Sequence, residues 1–341
     1  MKFLRFFLFP FSLIYGSITW FRNLFYDRRI LNSTSFQVPV IVVGNLSVGG
    51  TGKTPQVEYL VRLLKKTHRL AILSRGYGRA TKGHINLNKN HTTIEVGDEP
   101  LQYFKKFKTI SVAVNENRVK GIQNLLEVSS PEIILLDDAY QHRKVTGSLS
   151  ILLTKYQDLF VNDFLLPTGN LRESSNGANR ANVIVVTKCP KTLSSAQQKD
   201  IKASLSKFKK PIFFSTITYA NKIKGTFSYT QEQLVSKEVL LVTGIANPNP
   251  LVTYLKENKI HFHHLKYPDH HQFTEKNIKD IQTTFSNLTT KEKVLLTTEK
   301  DYMRLCNKLP QLSFLEIETT FLNGTEKEFN SLILNLVSNK N

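Results

Sequence analysis

Residues 44–54 read Gly-Asn-Leu-Ser-Val-Gly-Gly-Thr-Gly-Lys-Thr, a turn whose last two side chains suit polyphosphate and a divalent cation. Glycines let backbone N–H groups close around phosphate oxygens, and a helix starting there adds the partial positive charge of its N-terminus. On this reading Ser47, Val48, Gly49, Gly50, Thr51, Gly52, Lys53 and Thr54 bind a nucleotide, with Lys53 reaching the β- and γ-phosphates and the Thr54 hydroxyl on Mg2+. Ser47 stands where the G-x-x-x-x-G-K-[ST] pattern has its first glycine. A second set of oxygen ligands, Asp137 and Asp138, ends the apolar run 133–136. A carboxylate at such a strand end helps to hold Mg2+, because hard cations select oxygen. Taken alone, the pair reads equally well as a turn or a helix start.

Three further loops carry charge. Ser74-Arg75-Gly76-Tyr77-Gly78-Arg79 sets two arginine forks, which suit phosphates, in a turn where backbone can approach a ligand. Gly97-Asp98-Glu99-Pro100 offers two acids before a helix, where capping is the plain role for Asp98. The stretch 166–173 ends in Arg172 and Glu173. Five of the nine histidines, His261, His263, His264, His270 and His271, fall between 261 and 271. A metal site there needs geometry as well as count, Asp269 is the only acid among them, and Tyr267-Pro268 argues for a turn. One histidine of this segment acting at the nucleotide site across a domain cleft is the preferred reading.

The elements that must position these groups are legible as runs. Val38–Val43, Leu70–Ser74, Thr109–Val114, Ile133–Asp137, Leu149–Thr154 and Val183–Thr187 are near-continuous apolar strands separated by helical patterns such as Val57, Leu60, Val61 and Leu64. This is an α/β pattern: a phosphate-loop parallel sheet with helices on both faces. Pro211–Tyr219 alternates and is expected to leave that sheet. A smaller α/β pattern follows, with strands at Val239–Thr243 and Val294–Thr297 and helices near 250–258 and 275–288. Pairing Pro211–Tyr219 with Ser313–Thr319 gives a two-stranded neck carrying this second domain. The expected division is 1–28, an apolar membrane-associated segment; 29–218 with the return segment 319–341, the phosphate-loop core; and 219–318, the smaller domain.

The chain of 341 residues carries 46 Lys and Arg against 27 Asp and Glu, a net charge of +19. Such a balance favours polyanions: nucleic acid, an anionic membrane surface or a phosphorylated substrate. Two distant cysteines, Cys189 and Cys306, imply neither a disulfide framework nor a thiolate metal site, which fits a reducing cytoplasm. Between Arg5 and Arg22 lie 16 uncharged, largely aromatic and aliphatic residues interrupted by Pro10. That is short of the roughly 20 apolar residues a spanning helix needs. With Lys2, Arg5, Arg22, Arg28 and Arg29 around it, the segment suits the headgroup boundary of a membrane.

Taken together and in order, the apolar N-terminus, GNLSVGGTGKTP, SRGYGR, GDEP, LDDAYQH, LPTGNLRE, DHHQF and TTEKD resemble the tetraacyldisaccharide 4'-kinase family of lipid A biosynthesis. Asp137-Asp138-Ala139-Tyr140-Gln141-His142 departs from the family's usual D-D-G-F-Q-H at two positions without removing a catalytic group. The resemblance implies transfer of the ATP γ-phosphate, with Mg2+, to the 4'-hydroxyl of tetraacyldisaccharide 1-phosphate on the cytoplasmic face of the bacterial inner membrane. By carry-over, Asp98 takes the proton of the acceptor hydroxyl, supported by a histidine of Asp269-His270-His271, with His270 preferred to His271. An isolated aspartate is a feeble base at neutral pH, whereas an Asp–His pair orients and shares the proton. Thr54 with Asp138, and Asp137 or Glu173, is expected to hold Mg2+; Arg75, His142 and Arg172 are expected to touch phosphates or substrate. No nucleic acid and no obligate protein partner is expected. The alternative class is a nucleotide-switched ATPase or GTPase serving targeting or metal delivery. Val48 counts against it, standing where many such proteins carry a lysine that reaches across a dimer.

Overall fold

The computed structural model describes residues 5–290 and 292–338; Lys2, named above among the cations of the N-terminus, lies outside them. The β-branched runs form the strands Val40–Asn45, Leu70–Ser74, Ser111–Val114, Ile133–Asp137, Leu149–Lys155 and Val183–Thr187. These six pair with one another in parallel, and the short strand Ile85–Asn86 closes the edge antiparallel to Ser111–Val114. The strand at Val40–Asn45 lies between those at Ile133–Asp137 and Leu149–Lys155. Register Val43↔Asp137 brings the glycine-rich loop and the paired aspartates out of the sheet at one edge, the carboxyl ends where open α/β sheets bind ligands.

Both faces are covered. Val57, Leu60, Val61 and Leu64 of the helix Lys53–Leu64 pack on one face together with Phe329, Ile333 and Val337 of the C-terminal helix Glu326–Ser338. Ile122 and Leu125 of Arg118–Ser129, with Ile201 and Leu205 of Ser195–Leu205, cover the other.

The strand at Ile212–Gly225 does not leave this sheet at once. Its first residues pair in parallel with Val183–Thr187, Ile184↔Ile212 through Val186↔Phe214. The strand then runs antiparallel to Leu312–Phe321, from Ser215↔Phe321 to Gly225↔Ser313, with a register irregularity between Leu315 and Ile317. Lys293–Thr298, Glu238–Thr243 and Phe262–Lys266 continue the sheet beyond it. The last of these was not foreseen: its histidines break the apolar pattern, which an edge strand tolerates because one side faces solvent.

The N-terminal helix spans Phe9–Asp27, and Pro10 lies in its first turn rather than interrupting it. There the missing N–H has no intrahelical partner to lose. One face is fastened to the body: Ser12 Oγ donates to Thr168 Oγ1 (2.7 Å), the Tyr15 hydroxyl to the Arg172 carbonyl (2.7 Å) and Asn23 Nδ2 to Glu173 Oε2 (2.7 Å). The other presents Phe11, Leu13, Ile14, Ile18, Trp20 and Phe21 to solvent. Among the described residues no helix is long and apolar enough to cross a membrane.

Candidate active site

Gly52 precedes the helix Lys53–Leu64 at φ +84°, a left-handed conformation that glycine adopts without strain, and so aims the helix N-terminus into the loop. The loop is braced from outside: Val48 N donates to the Asn170 carbonyl (2.8 Å) and the Thr187 hydroxyl to the Thr51 carbonyl (2.7 Å). Ser47 bridges to Leu171 in an antiparallel pair, an extended arrangement with no need of the glycine that the general pattern places there. Lys53 Nζ lies 3.4 Å from Asn45 Oδ1 and 3.5 Å from Asp138 Oδ1. Arg172 holds the same carboxylate from the other side, at 3.0 and 3.4 Å. Burial alone would raise the Asp138 carboxyl, but Lys53 and Arg172 hold it below its ordinary value. The left-handed residue of the Asp137-Asp138-Ala139 turn is Asp138, at φ +48°, so alanine at 139 needs no special backbone.

Asp137 is placed differently. Burial, with the negative charge of Asp138, pushes its carboxyl up to about 7. Oδ2 has the Ser74 hydroxyl at 3.5 Å, while Oδ1 is buried without a partner. A carboxyl so situated gains from an adjacent divalent cation, and Thr54 offers a hydroxyl in the first turn of the helix Lys53–Leu64. Among the described residues no three His, Cys, Asp or Glu converge on one metal position. That donor set suits Mg2+, which keeps several waters and takes one or two carboxylates plus substrate phosphates. Glu173 is committed elsewhere: Oε1 accepts from Gln141 (3.1 Å) and Arg180 (2.8 Å) and Oε2 from Asn23. With three donors on its two oxygens it fastens the N-terminal helix and keeps at most one acceptor position, on Oε2, for a cation.

The second half of the site is built on Gly97, whose φ of +90° and close approach to the Tyr77 carbonyl (3.1 Å from a notional Cβ) admit no side chain. It opens the helix Asp98–Lys106. Asp98 is buried, and Arg304, on the helix Glu299–Leu305, grips both of its oxygens, with Nε 2.8 Å from Oδ1. His270 Nδ1 stands 3.2 Å from Asp98 Oδ2. His271, its neighbour, turns away to bond Asn277 (2.9 Å) and stack on Tyr267. The remaining histidines disperse: His263 meets Glu238 and His264 meets Thr243. A cavity of about 350 Å³ opens beside Asp98 and His270, bordered by Tyr77, Thr93, Lys105 and Lys308.

The two halves are neighbours. Glu99, beside Asp98, is close enough to raise the Asp137 carboxyl, and the Ser74–Tyr77 segment spans from Asp137 to the His270 ring, 5.9 Å from that of Tyr77. Arg75 is exposed at this rim, while Arg79 is spent on Glu116 (2.7 Å) and the Gly83 carbonyl. His142 is held neutral: burial, aided by Arg118 and Lys144, lowers it to about 4. Arg118 and Arg304 escaped sequence reasoning. Arg304 lies one helical turn beyond Asp301 of the Thr-Glu-Lys-Asp motif, and that i, i+3 spacing was the available signal. Arg118, buried with Nη1 donating to the Asn115 carbonyl (2.6 Å), follows a strand end with nothing in its neighbours to mark it.

The chain has counterparts among known proteins. The solved LpxK of Aquifex aeolicus, a complex with ATP, superposes with a TM-score of 0.80 at 32% identity, covering 98% of this chain and 99% of that one. The tetraacyldisaccharide 4'-kinase of Flavobacterium psychrophilum is 49% identical over 99% of this chain and 98% of its own length. That of Bacteroides thetaiotaomicron is 41% identical over 97% and 92%. The sequence profile of the LpxK family, tetraacyldisaccharide-1-P 4'-kinase, matches residues 4–338, and the chain belongs to that family.

Proposed function

We propose that this chain transfers the γ-phosphate of ATP to the 4'-hydroxyl of tetraacyldisaccharide 1-phosphate, the step of lipid A biosynthesis that forms lipid IVA. The contact that carries the reading is Asp98 with His270, 3.2 Å apart at the start of the helix whose Gln102 bonds Glu58 of the helix that follows the phosphate loop. The loop amides and Lys53 hold the β- and γ-phosphates. As the acceptor oxygen bonds phosphorus and the bond to ADP breaks, Asp98 takes the hydroxyl proton. His270 and Arg304 orient the carboxylate and leave lone pairs for the hydroxyl, since a carboxylate offers about four acceptor positions. Thr54 and Asp137, with Asp138 held by Lys53 and Arg172, are the residues that would hold Mg2+, which neutralises charge on the phosphate oxygens when bound. Arg75 and Arg172 are suited to phosphate or substrate oxygens; His142, kept neutral, offers a hydrogen bond.

The exposed apolar face of the helix Phe9–Asp27 supports an interfacial anchor on an anionic membrane, at the cytoplasmic face where ATP is available. Residues 29–218 with 319–341 are read as the nucleotide-binding lobe and 219–318 as the lobe that delivers His270. The test is phosphoryl transfer from ATP with Mg2+ to tetraacyldisaccharide 1-phosphate in detergent micelles. Asp98→Ala should abolish turnover while nucleotide binding persists; a near-wild-type rate would refute the base assignment.

A further inference from the structure

The Thr-Glu-Lys-Asp motif has no part in the proton transfer from the acceptor, yet Lys300 touches His270 and Asp301 pairs with the Arg304 that holds Asp98. Asp301, fully buried, accepts from the Gly244 amide (2.9 Å) and the Thr298 hydroxyl (2.7 Å), and so pins to the helix Glu299–Leu305 the turn after Glu238–Thr243, whose Gly244 carbonyl accepts from the His270 amide (3.1 Å). Lys300 projects from that helix between two acceptors: Glu99 Oε1 at 2.9 Å and His270 Nε2 at 3.1 Å. We propose that Lys300 is a positioning residue for phosphoryl transfer: by donating to His270 Nε2 it selects the tautomer whose Nδ1–H faces Asp98. The inference rests on the Asp98–His270 reading above.

A neutral imidazole has one N–H and one lone pair. Two cationic donors compete for that lone pair, Lys300 at Nε2 and Arg304 Nη2 at Nδ1, each 3.1 Å away. If Nε2 accepts from Lys300, Nδ1–H donates to Asp98 Oδ2 and every group is satisfied. If Nδ1 accepts from Arg304, the Nε2–H is set against the Lys300 ammonium and the Nδ1 lone pair against the Asp98 carboxylate. Glu99 fixes Lys300 in place, and the His270 backbone is locked at φ +56°, its amide within reach of Asp269 Oδ1 (3.0 Å) and the Gly244 carbonyl (3.1 Å). The ring therefore has little freedom except its tautomer. Without Lys300, Nε2–H can turn to Asp269, whose Oδ1 lies 3.9 Å away, and Arg304 captures Nδ1.

The experiment pairs steady-state kinetics with 15N spectra of histidine-labelled protein, the His270 signals identified by their absence from His270→Ala. Wild type should show His270 protonated at Nδ1. Lys300→Met should shift the ring to the Nε2–H form and lower kcat about 10- to 100-fold, the range usual when a group that orients a functional ligand is lost, with KM for ATP unchanged. Lys300→Arg, which keeps the donor, should restore both readouts and shows that the fold survives. An unchanged tautomer in Lys300→Met, or a kcat within about twofold of wild type, overturns the inference. If Asp98→Ala and His270→Ala also kept their turnover, the base reading itself would fall; if both are inactive, only the role of Lys300 does.

Discussion

Replacing Lys106 by Met should strike the molecule at the junction of four elements. Its ammonium lies 2.7 Å from Glu58 Oε2, 2.9 Å from Glu299 Oε2 and 3.4 Å from Glu316 Oε1. These acids sit on the helix Lys53–Leu64, the helix Glu299–Leu305 and the strand Leu312–Phe321, and all three are buried. Removing one partner of a buried ion pair leaves uncompensated charge and costs about 3–5 kcal/mol. Three carboxylates around one cation place Lys106→Met toward the upper end. The pH dependence follows from sign. Burial raises Glu58, and burial with the charge of Glu58 pushes Glu299 up to about 8. A carboxyl raised on folding binds more protons in the native than in the unfolded chain, so its contribution to stability falls as pH rises from about 4.5 to about 8. Without Lys106 the same acids rise further, so the gap between wild type and variant should widen with pH. Urea unfolding of the full chain at pH 5.5 and 8.5 measures it. Glu299→Gln added to Lys106→Met should recover part of the loss at pH 8.5. A gap below about 1 kcal/mol, or one equal at both pH values, would refute the reasoning, since surface pairs behave that way.

Three other outcomes are expected. His270→Ala should lose about 10²- to 10⁴-fold in kcat, the range of a proton-transfer group, whereas His271→Ala, whose ring bonds Asn277, should lose less than about tenfold; equal losses would sink the assignment. Ile18→Glu with Phe21→Glu, both exposed, should cut sedimentation with anionic vesicles at least about tenfold and leave thermal unfolding within a degree or two. His142 is lowered to about 4 chiefly by burial, so stability should decline as pH falls from about 6.5 through 4; His142→Gln should flatten that decline by about 1 kcal/mol or more, as acid unfolding curves would reveal.

Much of the site was legible because its chemistry is local. A phosphate loop needs glycines, Lys53 and Thr54 in one turn, and a strand ending in Asp137-Asp138 announces itself by contrast with its apolar run. The Asp98–His270 contact joins residues 172 positions apart and became visible only through a motif set, not through spacing. The strands between Val40 and Thr187 that pair in parallel were read to within a few residues because burial on both faces leaves continuous apolar runs. Phe262–Lys266 and the far half of Ile212–Gly225 were not, because edge and ribbon positions admit His, Asn and Lys. Glu173 shows the converse: an acid beside the site by sequence whose oxygens are largely taken by tertiary partners that no local pattern encodes.

The ribbon formed by Ile212–Gly225 and Leu312–Phe321 has a mechanical consequence. The chain passes between the two ends of the sheet inside a hydrogen-bonded ladder, not through slack loops. Rotation of one end against the other must therefore wind or unwind the natural twist of two paired strands, giving a restoring torque at every angle. The ladder is weakest at the irregularity between Leu315 and Ile317, and the residue there, Glu316, is the one that reaches Lys106 (3.4 Å) and Lys224 (2.7 Å). Torsion of the ribbon and the charge balance beneath the Asp98 helix are thus one elastic element: stiffening either stiffens both.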